Sequence, residues 1–398
     1  MKILFLHPNF PAQFRHISRH FAEEGYDVIF LCQTHYGRRI AGVKRMALKD
    51  KKKEKCFDNL YTDEFSRSKA RSNLYRSAFI QLRNQKKWNP DIVISHSGWG
   101  CGLHVKEIWP ETTLITYLEW WFNPNSELAL AMKKNKNLNY SSKSIEKMWL
   151  RNIPISFELS TADHIIAPSR WQKQQLPKQL IKNCHVIYDG IDQNIFHFEE
   201  SQISKTPKLT YGTRGMEAMR CFPEFIKSLP LIISKWPTLK VEIAGEDEIC
   251  YGGSQPKEGS WGAWAKSYLQ QNGVPDGKVE WKGRLELREY LKWLRGSWCH
   301  IYLTQPFVPS WSLLEAICCG TPLVVNKCPA TEEFLGLAKT ICVVDDLSVE
   351  SISSAVASQL RNRSRWQPVS AETLETLDHK ASLKKWRRIA DAHLPTAD

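Results

Sequence analysis

The chain has 398 residues, of which 42% are apolar and 24% are charged, and its formal net charge is +13. This apolar fraction is enough for packed cores, so a wholly disordered chain is excluded, and the length indicates two or three domains. No apolar run approaches the roughly 18 residues that a membrane span needs. Pro8 and Pro11 interrupt the apolar N-terminus before it reaches the length of a signal peptide. We therefore expect a cytoplasmic protein.

The first predicted elements alternate between strand and helix, as in a parallel α/β sheet. A buried-type strand over 2–7 precedes a helix that ends near Gly25, and a second strand is predicted over 26–31. Such a strand–helix–strand unit implies a right-handed crossover, and loops at the carboxyl ends of its strands form the site. Further strands are predicted over 91–96, 113–117, 164–169, 185–188, 209–212, 239–245, 279–283, 300–303 and 322–326.

A polar stretch over 197–208 separates two successive runs of this alternation and is predicted to be a linker. We therefore expect one α/β domain over 1–200 and a second over 201–370. An amphipathic, basic-ended helical stretch over 373–394 follows the second domain.

The positive charge is concentrated in one segment. Residues 38–88 hold 16 Lys and Arg against 5 Asp and Glu. This basic segment indicates an anionic partner such as phosphate groups, a membrane surface or nucleic acid. A solvated loop is the alternative interpretation, and no known RNA- or DNA-binding motif supports sequence recognition.

No metal site is expected. The 11 Cys form no CxxC pair and the 12 His form no HExxH motif. The acidic run 246–248 follows a predicted strand, and we interpret it as a solvated turn rather than a magnesium site.

A motif over 312–325, Ser-Leu-Leu-Glu-Ala-Ile-Cys-Cys-Gly-Thr-Pro-Leu-Val-Val, resembles the C-terminal signature of retaining, family 4 type glycosyltransferases of group 1. The N-terminal string over 7–16 is similar to a bacterial subgroup of that family. The resemblance implies the GT-B fold, two Rossmann-like parallel-sheet domains that face a cleft. It also implies that the C-terminal helix, over 371–398, crosses back to the first domain.

The motif has a physical interpretation beside the resemblance. A helix that begins near Ser312 offers backbone N–H groups and its positive dipole end, which suit a diphosphate. We expect Ser310, Trp311 and Ser312 to orient the donor sugar and phosphate. The resemblance assigns Glu315 to the ribose hydroxyls, and an ordinary exposed helix carboxylate is the alternative.

A pair of arginines matches the family's phosphate-binding positions. Arg214 and Arg220 are six positions apart after the strand that ends at Gly212, with Arg220 where the family has Lys. Two cations suit a leaving nucleoside diphosphate, because negative charge grows on it as the glycosidic bond breaks. Arginines on a surface loop are the alternative. Arg284 and Leu285 match a turn whose backbone contacts the base, which leaves uracil, guanine and adenine open.

One position departs from the family pattern. The family's first Glu lies eight positions before the second, and Phe307 occupies that position here. A phenyl ring is neither nucleophile, base nor hydrogen-bond acceptor. We therefore expect a front-face mechanism in which the departing phosphate takes the acceptor's proton, with the Gln305 amide as one substitute for the missing Glu.

In the first domain, two side chains end neighbouring predicted strands. His96 ends one strand, and Glu119 follows the next, where many relatives have a His that serves the donor sugar. We predict catalytic roles for both, with a structural His as the alternative for His96.

These features lead to one principal hypothesis, a metal-independent, cofactor-free, retaining hexosyltransferase that uses a nucleoside diphosphate sugar. The acceptor is unidentified; an anionic acceptor, or peripheral contact with the inner membrane through residues 38–88, would explain the basic segment. The alternatives are a non-catalytic sugar-nucleotide-binding or partner subunit and an anionic-surface binding protein, of which a nucleic-acid binder is disfavoured.

Overall fold

The computed structural model describes residues 1–49, 64–362 and 367–392. Residues 50–63 of the basic segment and 393–394 of the predicted C-terminal helical stretch lie outside the described residues. The chain divides into two compact units. The first unit joins Met1–Pro124, Ser142–Gly190 and His379–Asp398, and the second joins Asn125–Ser141 and Ile191–Asp378.

The strands form two sheets in which every pairing is parallel. In chain order the strands are β1 Lys2–Leu6, β2 Asp27–Cys32, β3 Val43–Ala47, β4 Ile92–His96, β5 Thr113–Tyr117, β6 His164–Ala167, β7 Cys184–Val186, β8 Lys208–Gly215, β9 Lys240–Glu246, β10 Val279–Gly283, β11 Cys299–Tyr302, β12 Leu323–Asn326 and β13 Ile341–Val344. The first unit has the order β3-β2-β1-β4-β5-β6-β7, and the second has β10-β9-β8-β11-β12-β13. The prediction of two Rossmann-like parallel-sheet domains is confirmed.

Helices connect the strands of both sheets. The α-helices are α1 Arg15–Glu23, α2 Glu64–Asn84, α3 Val105–Ile108, α4 Glu127–Lys134, α5 Ser142–Leu150, α6 Asn152–Thr161, α7 Arg170–Gln174, α8 Lys178–Ile181, α9 Phe222–Lys235, α10 Trp261–Gln271, α11 Leu287–Arg295, α12 Trp311–Cys318, α13 Val349–Arg361, α14 Ala371–Leu377 and α15 His379–Asp391. None of the helices described is long and apolar enough to cross a bilayer.

The strand order reverses once in each sheet, and the reversal locates the candidate site. In the first unit β2 lies on one side of β1 and β4 on the other; in the second unit β9 and β11 flank β8 in the same way. Loops at the carboxyl ends of strands on either side of such a switch point diverge and leave room for a ligand.

The C-terminal stretch is two helices rather than one. Asp378 is extended, with φ −65° and ψ 132°, and separates α14 from α15. It forms a bridge with Ile191 within the second unit, whereas α15 belongs to the first unit. There Trp386 and Ala390 join the core beside Phe14, Phe21 and Phe30. The helix that returns to the first unit is therefore α15, beginning at His379.

The predicted linker over 197–208 is part of the second unit. Arg295, 8% exposed at the end of α11, donates from Nη2 to the Ile195 carbonyl at 2.8 Å and from Nε to the His197 carbonyl at 3.0 Å. It also pairs with Glu199 at 3.0 Å. The division between the units falls after Gly190, earlier than the predicted bound at 200, and it places Asn125–Ser141 in the second unit.

A buried carboxylate fixes the loop after β4. Glu158 of α6 is fully buried and accepts the Gly102 N–H at 2.8 Å, the Gly98 N–H at 3.1 Å and the Ser95 hydroxyl at 3.3 Å. Burial raises the pKa of Glu158 to about 7, although these donors favour the ionised form. The Glu158 carboxylate therefore anchors the loop that follows His96 from a different element, and Ser68 and Arg71 of α2 donate to the carbonyls of Gly98 and Trp99 in the same loop.

Gly190 is a position where the fold requires glycine. Its φ is +77°, and a Cβ there would lie 2.3 Å from the His379 Cα. Gly25 has φ +84° but nothing within 4 Å of an added Cβ. We expect Gly25→Ala to cost about 1–2 kcal/mol through its backbone conformation alone. Gly190→Ala should cost more, because the methyl group also collides with backbone. Melting temperatures of the two variants test this, and equal losses would contradict it.

The Glu158 carboxyl predicts a pH dependence of stability. Because its pKa is raised to about 7 in the folded state, from 4.5, stability is full below the lower value and falls as pH rises through about 7. The linkage amounts to about 3 kcal/mol. Glu158→Gln should remove this slope, and Glu146→Gln, at an exposed position of α5, should keep it. Calorimetric melting between pH 5 and 8.5 measures the slopes; identical slopes for wild type and Glu158→Gln would refute the assignment.

Candidate functional site

Arg220 lies at the centre of the carboxyl edge of the second sheet. It is 6% exposed, and its Nη1 donates to the Thr304 hydroxyl at 2.8 Å and to the Val308 carbonyl at 3.0 Å. Its own carbonyl accepts the Tyr211 hydroxyl at 2.7 Å. The guanidinium therefore ties the loop after β8 to the loop after β11, which are neighbours at the switch point.

Tyr251, in the loop after β9, brings the two predicted phosphate-binding arginines together. The Arg220 Cζ lies 4.8 Å from the Tyr251 ring centroid. Arg214, exposed near the end of β8, also interacts with Tyr251 and with Glu248. The Tyr251 side chain is 40% exposed. Two cations thus converge on one accessible phenol.

A second buried carboxylate holds the loop that carries Tyr251. Glu217 is 0% exposed, and its Oε2 accepts the N–H groups of Cys250 at 3.1 Å, Tyr251 at 2.8 Å and Gly252 at 3.2 Å. Burial raises the pKa of Glu217, and the three N–H donors and Arg220 oppose that rise. The Glu217 side chain, which sequence reasoning missed, therefore positions the loop and interacts electrostatically with Arg220.

The first turn of α12 is capped from within the chain. The Ser310 side chain accepts the Ser312 N–H at 3.4 Å, and the Ser310 N–H donates to the Tyr302 hydroxyl at 2.7 Å. These two N–H groups thus have internal acceptors in this structure, contrary to the expectation that the 310–312 backbone is open to a donor. Trp311 is 46% exposed at the same helix start.

Glu315 lies one turn further along α12 and is not an ordinary exposed carboxylate. It is partly buried, and its Oε2 accepts the Tyr290 hydroxyl of α11 at 2.8 Å. Burial raises the pKa of Glu315 to about 7, which the Tyr290 hydrogen bond opposes. The carboxyl is therefore poised between its neutral and ionised forms near neutral pH.

The remaining predicted donor residues of this unit occupy two places. Gly212 lies in β8, where an added Cβ would be 3.1 Å from the Trp293 ring. Arg284 is exposed and Leu285 is half-buried in the loop between β10 and α11. The acids over 246–248 do not form a free turn, because Asp247 accepts the Ser260 hydroxyl at 2.6 Å and the Gly262 N–H at 2.7 Å at the start of α10.

Phe307 packs against the same tyrosine. Its ring centroid is 5.8 Å from that of Tyr251. Gln305, predicted as a substitute for the missing Glu, is 7% exposed, and its amide donates to the Cys221 Sγ at 3.3 Å. The Gln305 amide is therefore engaged inside the unit, and the exposed polar group beside Phe307 is the Tyr251 hydroxyl.

In the first unit, His96 and Glu119 lie together as their strand ends require. The His96 Nε2 is 3.5 Å from the Glu119 Oε2, and the His96 Nδ1 is 2.9 Å from the Ser97 carbonyl. That carbonyl is an acceptor, so it places the ring proton on Nδ1 and turns Nε2 toward the carboxylate. The side chain of His96 is 2% exposed and that of Glu119 is 38% exposed.

His7, which sequence reasoning did not single out, completes this cluster. It follows β1, and its ring is perpendicular to that of His96 at a centroid distance of 4.8 Å. Burial and the neighbouring His96 hold the pKa of His7 well below its usual range. A neutral imidazole thus backs the His96–Glu119 pair at the switch point of the first sheet. Within either unit by itself, the described residues include no group of three His, Cys, Asp or Glu side chains close enough together to hold a metal ion.

Comparison with solved structures confirms the fold. Sucrose-phosphate synthase from Thermosynechococcus elongatus superposes with a TM-score of 0.71 over 98% of each chain, at 13% identity. HepE from Anabaena, in complex with UDP and glucose, superposes with a TM-score of 0.68 over 98% of this chain and 100% of its own chain, at 12% sequence identity. The apo form of the lipopolysaccharide outer core galactosyltransferase WaaB superposes with a TM-score of 0.58 over 99% of this chain and 100% of its own chain, at 16% sequence identity.

The family comparison matches the N-terminal part of the chain and indicates the same kind of protein as the C-terminal motif. Residues 24–196 match the glycosyl transferase family 4 group. No curated protein is similar enough in sequence to give a significant match. This family match covers the N-terminal part of the chain, and the motif over 312–325 in the second unit resembles the signature of the same group of glycosyltransferases.

Proposed function

We propose that the protein transfers a hexose from a nucleoside diphosphate sugar to an acceptor, with retention of the anomeric configuration and without a metal ion. The second unit holds the donor. The observation that carries the proposal is the convergence of Arg214 and Arg220 on Tyr251, whose ring packs on Phe307 in the loop before α12. HepE was solved with UDP, with UDP and glucose, and with UDP-glucose, which supports a donor of this class.

The arginines supply the charge that the leaving group needs. Arg214 is exposed and reaches the phosphate oxygens directly, whereas Arg220 is held by Thr304 and Val308 and presents a fixed positive charge at Tyr251. A preorganised cation stabilises charge on the β-phosphate without reorganising during bond cleavage. The Tyr251 side chain interacts with both arginines.

Proton transfer in this scheme uses the leaving phosphate. Phe307 rules out an acid or base at the family's first Glu position, so the departing phosphate accepts the acceptor's proton on the same face of the sugar. The acceptor oxygen bonds to the anomeric carbon as the sugar–phosphate bond breaks, and configuration is retained. We assign the His96–Glu119 pair of the first unit to the acceptor, because the half-exposed Glu119 carboxylate can accept a hydrogen bond from an acceptor hydroxyl and so orient it.

A second candidate is a sugar-nucleotide-binding subunit without transferase activity. Two observations favour it, the Phe307 ring packed on Tyr251 and the internally satisfied N–H groups at the start of α12. Donor binding without donor hydrolysis or transfer would support this candidate over the enzyme.

The structure weakens the third hypothesis, an anionic-surface binder built on residues 38–88. Several of its described cations have partners in the first unit. Arg71 is 6% exposed and donates to Gln33 at 2.8 Å, Arg76 pairs with Glu107, and Lys44 pairs with Asp27 at 2.7 Å. Much of this charge therefore fixes α2 and β3 to their neighbours.

Removal of the exposed arginine tests the donor site. Arg214→Ala should reduce donor hydrolysis and transfer by at least about 100-fold, the range expected for loss of a group that stabilises developing charge. Arg288→Ala, at an exposed position of α11, is the matched control and should keep wild-type rates. Arg220→Lys should keep charge but lose the paired contacts to Thr304 and Val308, so an intermediate rate is expected. Wild-type rates for Arg214→Ala would eliminate the assignment.

Glu315 predicts that donor affinity depends on pH. With its pKa at about 7, the better acceptor form of the carboxyl predominates only above neutral pH. Affinity should therefore rise between pH 6 and 8 in the wild type. Glu315→Gln should weaken binding at pH 8 by about 10-fold or more and flatten the profile, and Glu289→Gln, exposed on α11, should leave it unchanged. Titration calorimetry measures this; unchanged affinity for Glu315→Gln would exclude the ribose role.

A further inference from the structure

An apolar ridge lies on the surface of the first unit, outside the site described above. Four of the twelve large apolar side chains that are exposed in the described part of the chain fall within residues 149–157. They are Trp149 at 51%, Leu150 at 46%, Ile153 at 46% and Phe157 at 54% exposure. Single exposed apolar residues are normal on a protein surface, but a contiguous set marks an interaction site.

These side chains share a face because helical geometry runs across the junction of α5 and α6. Arg151 joins the two helices with φ −61° and ψ −23°, within the helical region. Trp149, Ile153 and Phe157 are spaced by four residues and are therefore neighbours on one face. The opposite side of α6 buries Pro154, Ile155, Glu158 and Leu159, and α5 buries no residue. The exposed face is thus a ridge that its own unit does not cover.

The charge beside the ridge is basic. Lys143 and Lys147 are exposed one turn apart on α5, next to a single exposed acid, Glu146. Aromatic and aliphatic side chains flanked by lysines form the pattern of a helix that lies in a bilayer interface, where apolar groups enter the acyl boundary and ammonium groups meet anionic headgroups.

We propose that the ridge formed by Trp149, Leu150, Ile153 and Phe157, with Lys143 and Lys147, docks this protein on an anionic lipid surface. An anionic bilayer is favoured over a protein partner because exposed aromatic and aliphatic side chains stand beside exposed lysines, which pair with anionic headgroups as the apolar groups enter the acyl boundary. This contact does not depend on the proposed transfer reaction. It also differs from the basic segment over 38–88, which carried the membrane prediction from sequence.

Vesicle sedimentation with the full-length protein tests the proposal. The protein should sediment with phosphatidylcholine vesicles that contain phosphatidylglycerol and bind pure phosphatidylcholine more weakly. Trp149→Ser combined with Phe157→Ser should reduce binding to both by at least about 10-fold, because the apolar insertion is lost. Lys143→Glu combined with Lys147→Glu should reduce binding only where phosphatidylglycerol is present.

The control is Tyr36→Ser combined with Leu130→Ser, which removes two exposed apolar side chains elsewhere and should bind as the wild type does. All variants should keep wild-type melting temperatures and donor affinity, so failure here is separable from failure of the proposed function. Absence of vesicle binding by the wild type, or wild-type binding by the Trp149–Phe157 double variant, would overturn the proposal. So would a dimer, seen by light scattering, that the double variant abolishes.

Discussion

Two buried carboxylates hold the loops on which both candidate sites depend. Glu158 collects the N–H groups of Gly98 and Gly102 after β4, and Glu217 collects those of Cys250, Tyr251 and Gly252 after β9. Irregular loops at a sheet edge cannot pair their own backbone groups, and leaving such groups buried and unpaired is costly. In each unit one buried carboxylate accepts several of these N–H groups, which favours a single conformation of the loop.

In each unit, the chemistry of the candidate site depends on the loop that the buried carboxylate holds. In the first unit the braced loop begins directly after His96, so its anchoring keeps the ring against Glu119. In the second unit the braced loop delivers Tyr251 to Arg220, and Arg220 in turn ties the loop after β8 to that after β11. Preorganisation of this kind lets charges act on a reacting group without rearrangement.

The sequence predicted the sheets better than it predicted the site. Several strands, such as β6, β10 and β12, are short runs that end at or before Gly, Pro or Asn, and most are rich in apolar residues as buried parallel strands are. Helix α2 was not predicted from the sequence. Its buried face begins with the polar residues Ser68, Arg71 and Ser72, which mask the apolar periodicity expected of an amphipathic helix. The pair Arg214 and Arg220 was predicted from the resemblance to the family's phosphate-binding positions, but no such match pointed to Glu217 and Tyr251. Their roles arise from contacts between loops that are distant in sequence, and no local pattern records such contacts.

Donor binding by the second unit is tested most directly by titration calorimetry of the full-length protein with UDP-, GDP-, ADP- and dTDP-sugars. We expect saturable binding of one nucleotide class, competed by the free nucleoside diphosphate. We also expect a higher melting temperature, since ligands that bind only the folded state stabilise it. No heat and no melting shift with any of the four would contradict this expectation.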